Sequence, residues 1–217
     1  IYQISLQNIR GNMNSTVISE TKIVMDTLLS DLKQLTKVGL SLSVVFSSVA
    51  GYLLAVDVVN FTTLLLLALG GFFMVGASNA FNQVIEKDTD ALMLRTMNRP
   101  LPTGRMSVNF AMFVAILFTI LGLAILYSIN PKTALFGAIS IFLYTSVYTP
   151  LKSVTPLTVF VGAIPGAIPF MLGWVAATNQ FGIEAGMLFM IQFFWQFPHF
   201  WAIGWLQFEE YKKAGFN

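Results

Sequence analysis

Six long apolar runs dominate the chain, near residues 38–56, 62–85, 108–129, 132–149, 154–177 and 184–207, with short polar connections between them. Each is close to the roughly 20 residues that a helix needs to cross hydrocarbon. One or two such runs would suit a buried soluble core, but six in succession predict a membrane bundle. Backbone groups in lipid must be satisfied within their own segment, so the runs are read as helices. The expected fold class is all-α, a polytopic transmembrane helix bundle. Residues 1–37 are mixed and polar, with Glu20, Asp26 and Asp31 among the basic residues. They are read as a mobile leader ending in an interfacial helix near 20–37, ahead of a transmembrane domain over 38–217. The acidic residues argue against a mitochondrial transit peptide, and no signal-peptide pattern shows.

Composition agrees with this pattern. Charged residues are 10% of the 217, hydrophobic residues 56%, and aromatics 14%. A soluble domain carries about 25% charge, so an ordinary soluble globule and a disordered chain are both excluded. Cysteine is absent, which removes disulfides, thiolate metal sites and cysteine nucleophiles. All charged residues lie outside the six runs or at their ends. Every Lys and Arg except Lys132 falls on the side that holds the leader, the 86–107 loop, the 150–153 turn and the tail. The positive-inside rule makes that side cytoplasmic. Pro156, Pro165, Pro169 and Pro198 predict kinks. Gly162 and Gly166 form a small-xxx-small pair that lets helix backbones approach.

The chemistry gathers where the second run leaves the membrane. If its helix continues, Asn82, Glu86 and Asp90, spaced by four, form one stripe. An amide and two carboxylates offer oxygen ligands to a hard cation, and Mg²⁺ usually takes one or two carboxylates plus water and phosphate oxygens. Asp88 points away from that stripe. Arg95 and Arg99 follow, again four apart, and guanidinium forks match phosphate oxygens. Metal-binding oxygens beside paired arginines suit a diphosphate, and a long apolar tail on it would lie between the helices. A solvated charged loop is the bland alternative for any one residue, but the combined spacing favours a site.

Two further polar groups stand out. Trp195-Gln-Phe-Pro198-His199-Phe200-Trp201 places the chain's one histidine inside an apolar run. Ionisable residues there usually face the bundle interior, so His199 is a candidate ligand or proton-transfer group. The tryptophans also fit an aromatic belt. Tyr144, Tyr148, Thr149, Lys152 and Thr155 lie at the end of the fourth run. Lys152 suits a phosphate contact and equally a positive-inside anchor.

At these residues the sequence resembles the UbiA superfamily of intramembrane prenyltransferases. Asn82, Gln83, Glu86 and Asp90 stand where its first motif has Asn, Asp, Asp and Asp. Arg95-Thr96, Arg99-Pro100-Leu101, Tyr148-Thr149, Lys152, Thr155-Pro156, the Gly162 to Trp174 stretch and Pro198-His199-Phe200-Trp201 resemble the branch that farnesylates heme. A second acidic motif is missing; His199, Glu209 and Glu210 occupy its neighbourhood.

The resemblance implies transfer of a farnesyl group from farnesyl diphosphate to the vinyl group of heme B, giving heme O and diphosphate. It implies Mg²⁺ held by Asn82, Glu86 and Asp90. Diphosphate would be bound by Arg95 and Arg99, with Lys152 and Tyr148 beside it. His199 would ligate heme iron or order the porphyrin. It further implies a bacterial inner-membrane enzyme with a cytoplasmic active face, heme-handling or oxidase-assembly partners, and no nucleic acid. The superfamily has nine transmembrane helices, so six imply a chain lacking about three at its C-terminus. A UbiA-type enzyme acting on a quinone precursor competes, although it should carry the second acidic motif. A small-molecule transporter would place its charges nearer the bilayer midplane, and a structural assembly subunit leaves the Arg95/Arg99 pair unexplained.

Overall fold

The structure is a computed structural model that describes residues 25–215. Helix α1 is Met25–Leu35. It is followed by α2 (Val38–Leu53), α3 (Phe61–Ile85), α4 (Lys87–Asp90), α5 (Val108–Ile129) and α6 (Pro131–Phe142). A π-helical turn (Leu143–Tyr148) and α7 (Thr149–Leu151) lead to α8 (Thr158–Thr178), α9 (Ile183–Leu206) and α10 (Phe208–Lys213). No strand occurs among the described residues. The leader before residue 25 lies outside them.

Side chains at the helix starts explain the boundaries. Asn60 accepts from the Thr63 amide at 3.1 Å, Ser107 from Phe110 at 3.2 Å and Asn130 from Thr133 at 2.8 Å. Each satisfies a donor that the first turn leaves without a partner. Asn130 also donates to the Val175 carbonyl at 3.1 Å, which pins the start of α6 to the last turn of α8.

Among the described residues, four helices are each long and apolar enough to cross a membrane: α3, α5, the run Pro131–Leu151 and α8. A fifth span results if α1 and α2, bent by 46° at their junction, count as one. All six expected apolar runs are helical, as α2, α3, α5, Pro131–Leu151, α8 and α9, but α2 and α9 do not meet these criteria alone. At 16 residues, α2 reaches only about 24 Å, short of the roughly 30 Å hydrocarbon core. With 24 residues α9 is long enough, but Gln192, Gln196 and His199 dilute its apolar character. Helix α1 is docked on the bundle: Leu35 is fully buried against the cluster that holds Leu101, Ala111 and Ala115.

The main core lies between α2, α3, α5, α6 and α8, around Tyr52, Leu67, Met74, Leu126 and Met171. Phe73 of α3 meets Phe118 of α5 edge to face at 4.9 Å. In α8, Pro169 has no N–H to give the Pro165 carbonyl, and the Ser140 hydroxyl donates to that oxygen instead at 3.4 Å. Gly162 and Gly166 admit side chains rather than a neighbouring backbone. A Cβ at Gly162 would strike the Tyr148 ring, and one at Gly166 the Gln196 amide. Backbone-to-backbone approach occurs instead where Gly51 of α2 crosses Gly173 of α8.

Candidate active site

Helix α3 stops at Ile85, and Glu86 leaves helical geometry with φ −93° and ψ 12°. The spacing of four survives this break. The Glu86 amide donates to the Asn82 carbonyl at 2.9 Å and the Asp90 amide to the Glu86 carbonyl at 2.8 Å. Asn82, Glu86 and Asp90 therefore share one wall of a cavity of about 1150 Å³. Asp88 is not among its lining residues.

Beyond Asp90 the chain runs in turns to residue 107 rather than in a helix. Met93, Thr96 and Leu101 are buried anchors of this loop, and the Thr96 hydroxyl donates to the Asp90 carbonyl at 2.8 Å. The loop curls back so that Arg99 donates to Asp90 Oδ2 at 2.6 Å. Arg95 also lines the cavity, with its side chain exposed. The opposite wall belongs to the end of the fourth span. Lys152 Nζ stands 2.8 Å from Glu86 Oε1 and 4.8 Å from the centroid of the Tyr148 ring. The Tyr148 ring leans on Tyr144 at 5.3 Å and Phe200 at 5.8 Å.

Each oxygen ligand proposed from the sequence thus faces a basic side chain. Asp90 faces Arg99, Glu86 faces Lys152, and Asn82 Oδ1 accepts from Lys37 Nζ at 3.5 Å. Burial pushes the Asp90 carboxyl above its ordinary value, against the pull of Arg99 and Thr96. Burial works to lower Lys152, but the Glu86 carboxylate together with Tyr144 and Tyr211 outweighs it and Lys152 ends above its ordinary value. Asp90 Oδ1 is buried and has no hydrogen-bond partner. Buried acceptors seldom stay unsatisfied, and this one sits beside Asn82 and Glu86 on the cavity wall. An amide oxygen and two carboxylates fit a hard cation that completes its shell with water and phosphate oxygens. No group of three His, Cys, Asp or Glu side chains that could hold a metal occurs among the described residues.

His199 is exposed and does not line the cavity; its neighbour Phe200 does. Sequence reasoning passed over Lys37, which lines the cavity from the break between α1 and α2. Its signal was its place, the last charge before the first apolar run. Helix α10 adds Glu210 and Tyr211 to the lining. Glu210 accepts from the Leu94 amide at 2.6 Å, tying α10 to the 91–107 loop; this bond and Lys213 hold its carboxyl below the ordinary range. On the outer side, Arg105 donates to buried Asp31 at 3.0 Å and to the Asn98 carbonyl at 3.0 Å. An Arg105→Ala variant should lose about 1 kcal/mol, the upper end for a partly exposed pair. A lowered thermal midpoint with the cavity chemistry intact would show it.

Residues 44–217 match the UbiA prenyltransferase family. The chain belongs to that family. Among curated relatives, it is 71% identical over 193 residues to protoheme IX farnesyltransferase of Flavobacterium psychrophilum, covering 88% of this chain and 64% of that protein. The Christiangramia forsetii protein of the same name is 70% identical, with 88% and 63% covered. The human mitochondrial protoheme IX farnesyltransferase is 39% identical, with 91% and 45% covered. The chain thus spans a little under two thirds of the first two. A UbiA homolog from Archaeoglobus fulgidus, solved with DMAPP and Mg²⁺, superposes with a TM-score of 0.69 at 23% identity, covering 85% of this chain and 66% of that one. A digeranylgeranylglyceryl phosphate synthase superposes at 0.75 with 21% identity, covering 87% and 66%. These two likenesses establish the fold, and the apolar helices with the family match make the chain an integral membrane protein.

Proposed function

We propose that this chain carries the diphosphate-binding face of an enzyme that transfers a farnesyl group from farnesyl diphosphate to the vinyl group of heme B, releasing heme O and diphosphate. The observation that carries the reading is the wall of Asn82, Glu86 and Asp90 facing Arg99, Lys152 and Lys37. The relatives named above support the choice of heme as acceptor over a quinone precursor.

Asn82, Glu86 and Asp90 would hold Mg²⁺, and when bound it would neutralise charge on the departing diphosphate. The chain's own residues do the rest. Arg99 and Arg95 offer paired N–H donors to the phosphate oxygens. Lys152 and Lys37 add point charges from the other walls. In the ion pairs now seen, each cation is already aimed and desolvated, so charge leaving the prenyl group meets a prearranged field. Tyr144, Tyr148 and Phe200 form an aromatic surface beside the phosphates. Such a surface excludes water from an allylic cation and stabilises it by its ring faces. Exposed His199 receives no role in this scheme. The basic loops support a cytoplasmic position for the cavity, in a bacterial inner membrane on this reading.

The test is direct. Membranes containing the protein, supplied with farnesyl diphosphate, heme B and Mg²⁺, should yield heme O by chromatography and mass spectrometry. Chelating the metal should abolish the product. Prenylation of a quinone precursor with heme B left untouched would overturn the acceptor assignment.

A further inference from the structure

Helix α3 carries two polar stripes near its end, and the cavity uses only one. Asn82 and Glu86 face the cavity. Asn79 and Gln83, on a stripe offset by about 60° around the helix, face the junction of α1 and α2. Gln83 is fully buried, and its Nε2 donates to the Gln34 carbonyl at 2.9 Å and to the Leu35 carbonyl at 2.8 Å. These belong to the last turn of α1, where carbonyls have no partner within the helix. Asn79 Nδ2 donates to the Thr36 carbonyl at 3.4 Å, and the Ser41 hydroxyl donates to the same oxygen at 2.8 Å.

Lys37 follows directly. Its φ of 46° and ψ of 58° are left-handed, a conformation that brings the Cβ of an L residue too close to the following carbonyl oxygen. Such a backbone persists only where its surroundings over-determine it. Here it bends the chain by 46° between two helices and sends Nζ back to Asn82 Oδ1 at 3.5 Å.

We propose that Gln83 is a positioning residue of the active site: its amide clamps the end of α1 and thereby delivers Lys37 to the diphosphate. The proposal rests on the diphosphate reading above. It also accounts for an amide at the place where the resembled motif has an acid. A carboxylate there would turn acceptors toward two carbonyl oxygens, while Gln83 Oε1 already lacks a partner. Only a donor satisfies this position.

The experiment uses Gln83→Glu and the apolar Gln83→Met, each alone and combined with Lys37→Met, in the detergent-solubilised protein. The first readout is binding of inorganic diphosphate with Mg²⁺ by calorimetry. The second is acylation of Lys37 by a water-soluble amine reagent, read by peptide mass spectrometry. Loss of one charge-assisted contact should weaken diphosphate binding about tenfold in either single variant. In the Lys37→Met background the same change should cost nothing further, because its effect runs through Lys37. Lys37 labelling should change several-fold in Gln83→Glu, and Gln83→Met decides should that variant fail to fold. Additive losses in the double variants, or unchanged Lys37 labelling, overturn the proposal. If the wild type binds no diphosphate, the site reading fails and Lys37 labelling alone decides the clamp.

Discussion

Asp90→Asn should cut turnover by roughly 10²–10³-fold, the usual loss when one prearranged electrostatic contact to a reacting group is removed. Asp90 is 1% exposed, its Oδ2 pairs with Arg99 at 2.6 Å and its Oδ1 has no partner. The substitution removes a negative ligand and leaves the Arg99 guanidinium without its counterion. Breaking a buried pair from one side costs about 3–5 kcal/mol in the folded state, so a lower thermal midpoint should accompany the lost activity. Arg99→Ala separates the two effects. It also breaks the pair but spares the carboxylate, so metal-dependent binding should survive while affinity for diphosphate falls. Turnover within threefold of wild type in a folded Asp90→Asn protein would remove Asp90 from the site.

Gly173→Ala should give the largest loss of stability. A Cβ at Gly173 would fall on the Ser48 carbonyl oxygen, the Tyr52 amide and the Gly51 backbone, and a Cβ at Gly51 on the Phe170 carbonyl. Overpacking usually costs about 1–3 kcal/mol because side chains can give way. Here the obstacles are backbone atoms of two packed helices, so the cost should exceed that range. Moving α2 off α8 would also carry Lys37, at its first turn, away from Asn82. Gly186→Ala is the control: nothing lies within 4 Å of its Cβ position, and a helical Ala gains up to about 1 kcal/mol over Gly. Thermal unfolding in detergent of the two variants beside wild type reads the difference. A Gly173→Ala midpoint equal to that of Gly186→Ala would contradict the packing described.

Much of the site was legible because its logic is local. Asn82, Glu86 and Asp90 follow from helical spacing, and that spacing outlasts the irregular backbone at Glu86. Arg95 and Arg99 were found for a weaker reason. They were singled out by guanidinium chemistry and a spacing of four, and it is turns anchored by Met93, Thr96 and Leu101 that bring Arg99 back to Asp90. Lys37 was missed because only the fold reveals its value. In sequence it is one more charge in a polar leader; in space a left-handed turn aims it at residue 82. His199 departs from its expected orientation. A histidine within an apolar run was expected to face inward, but it lies on an exposed side of α9, the helix that also exposes Trp195, Trp201 and Trp205. Periodicity showed that the segment was helical but left its orientation open.

The π-helical turn at Leu143–Tyr148 makes chain length itself a functional quantity. A π turn holds about one residue more than the α-turn it replaces. Everything beyond it, Lys152 included, is rotated by that extra residue, about 100° around the axis. Tyr148 and Lys152 owe their common aim at the cavity to this count as much as to their identities. A relative one residue shorter between Phe142 and Thr149 could keep every side chain named here and still present a different face to its substrate. In this part of the family, gaps carry as much meaning as substitutions.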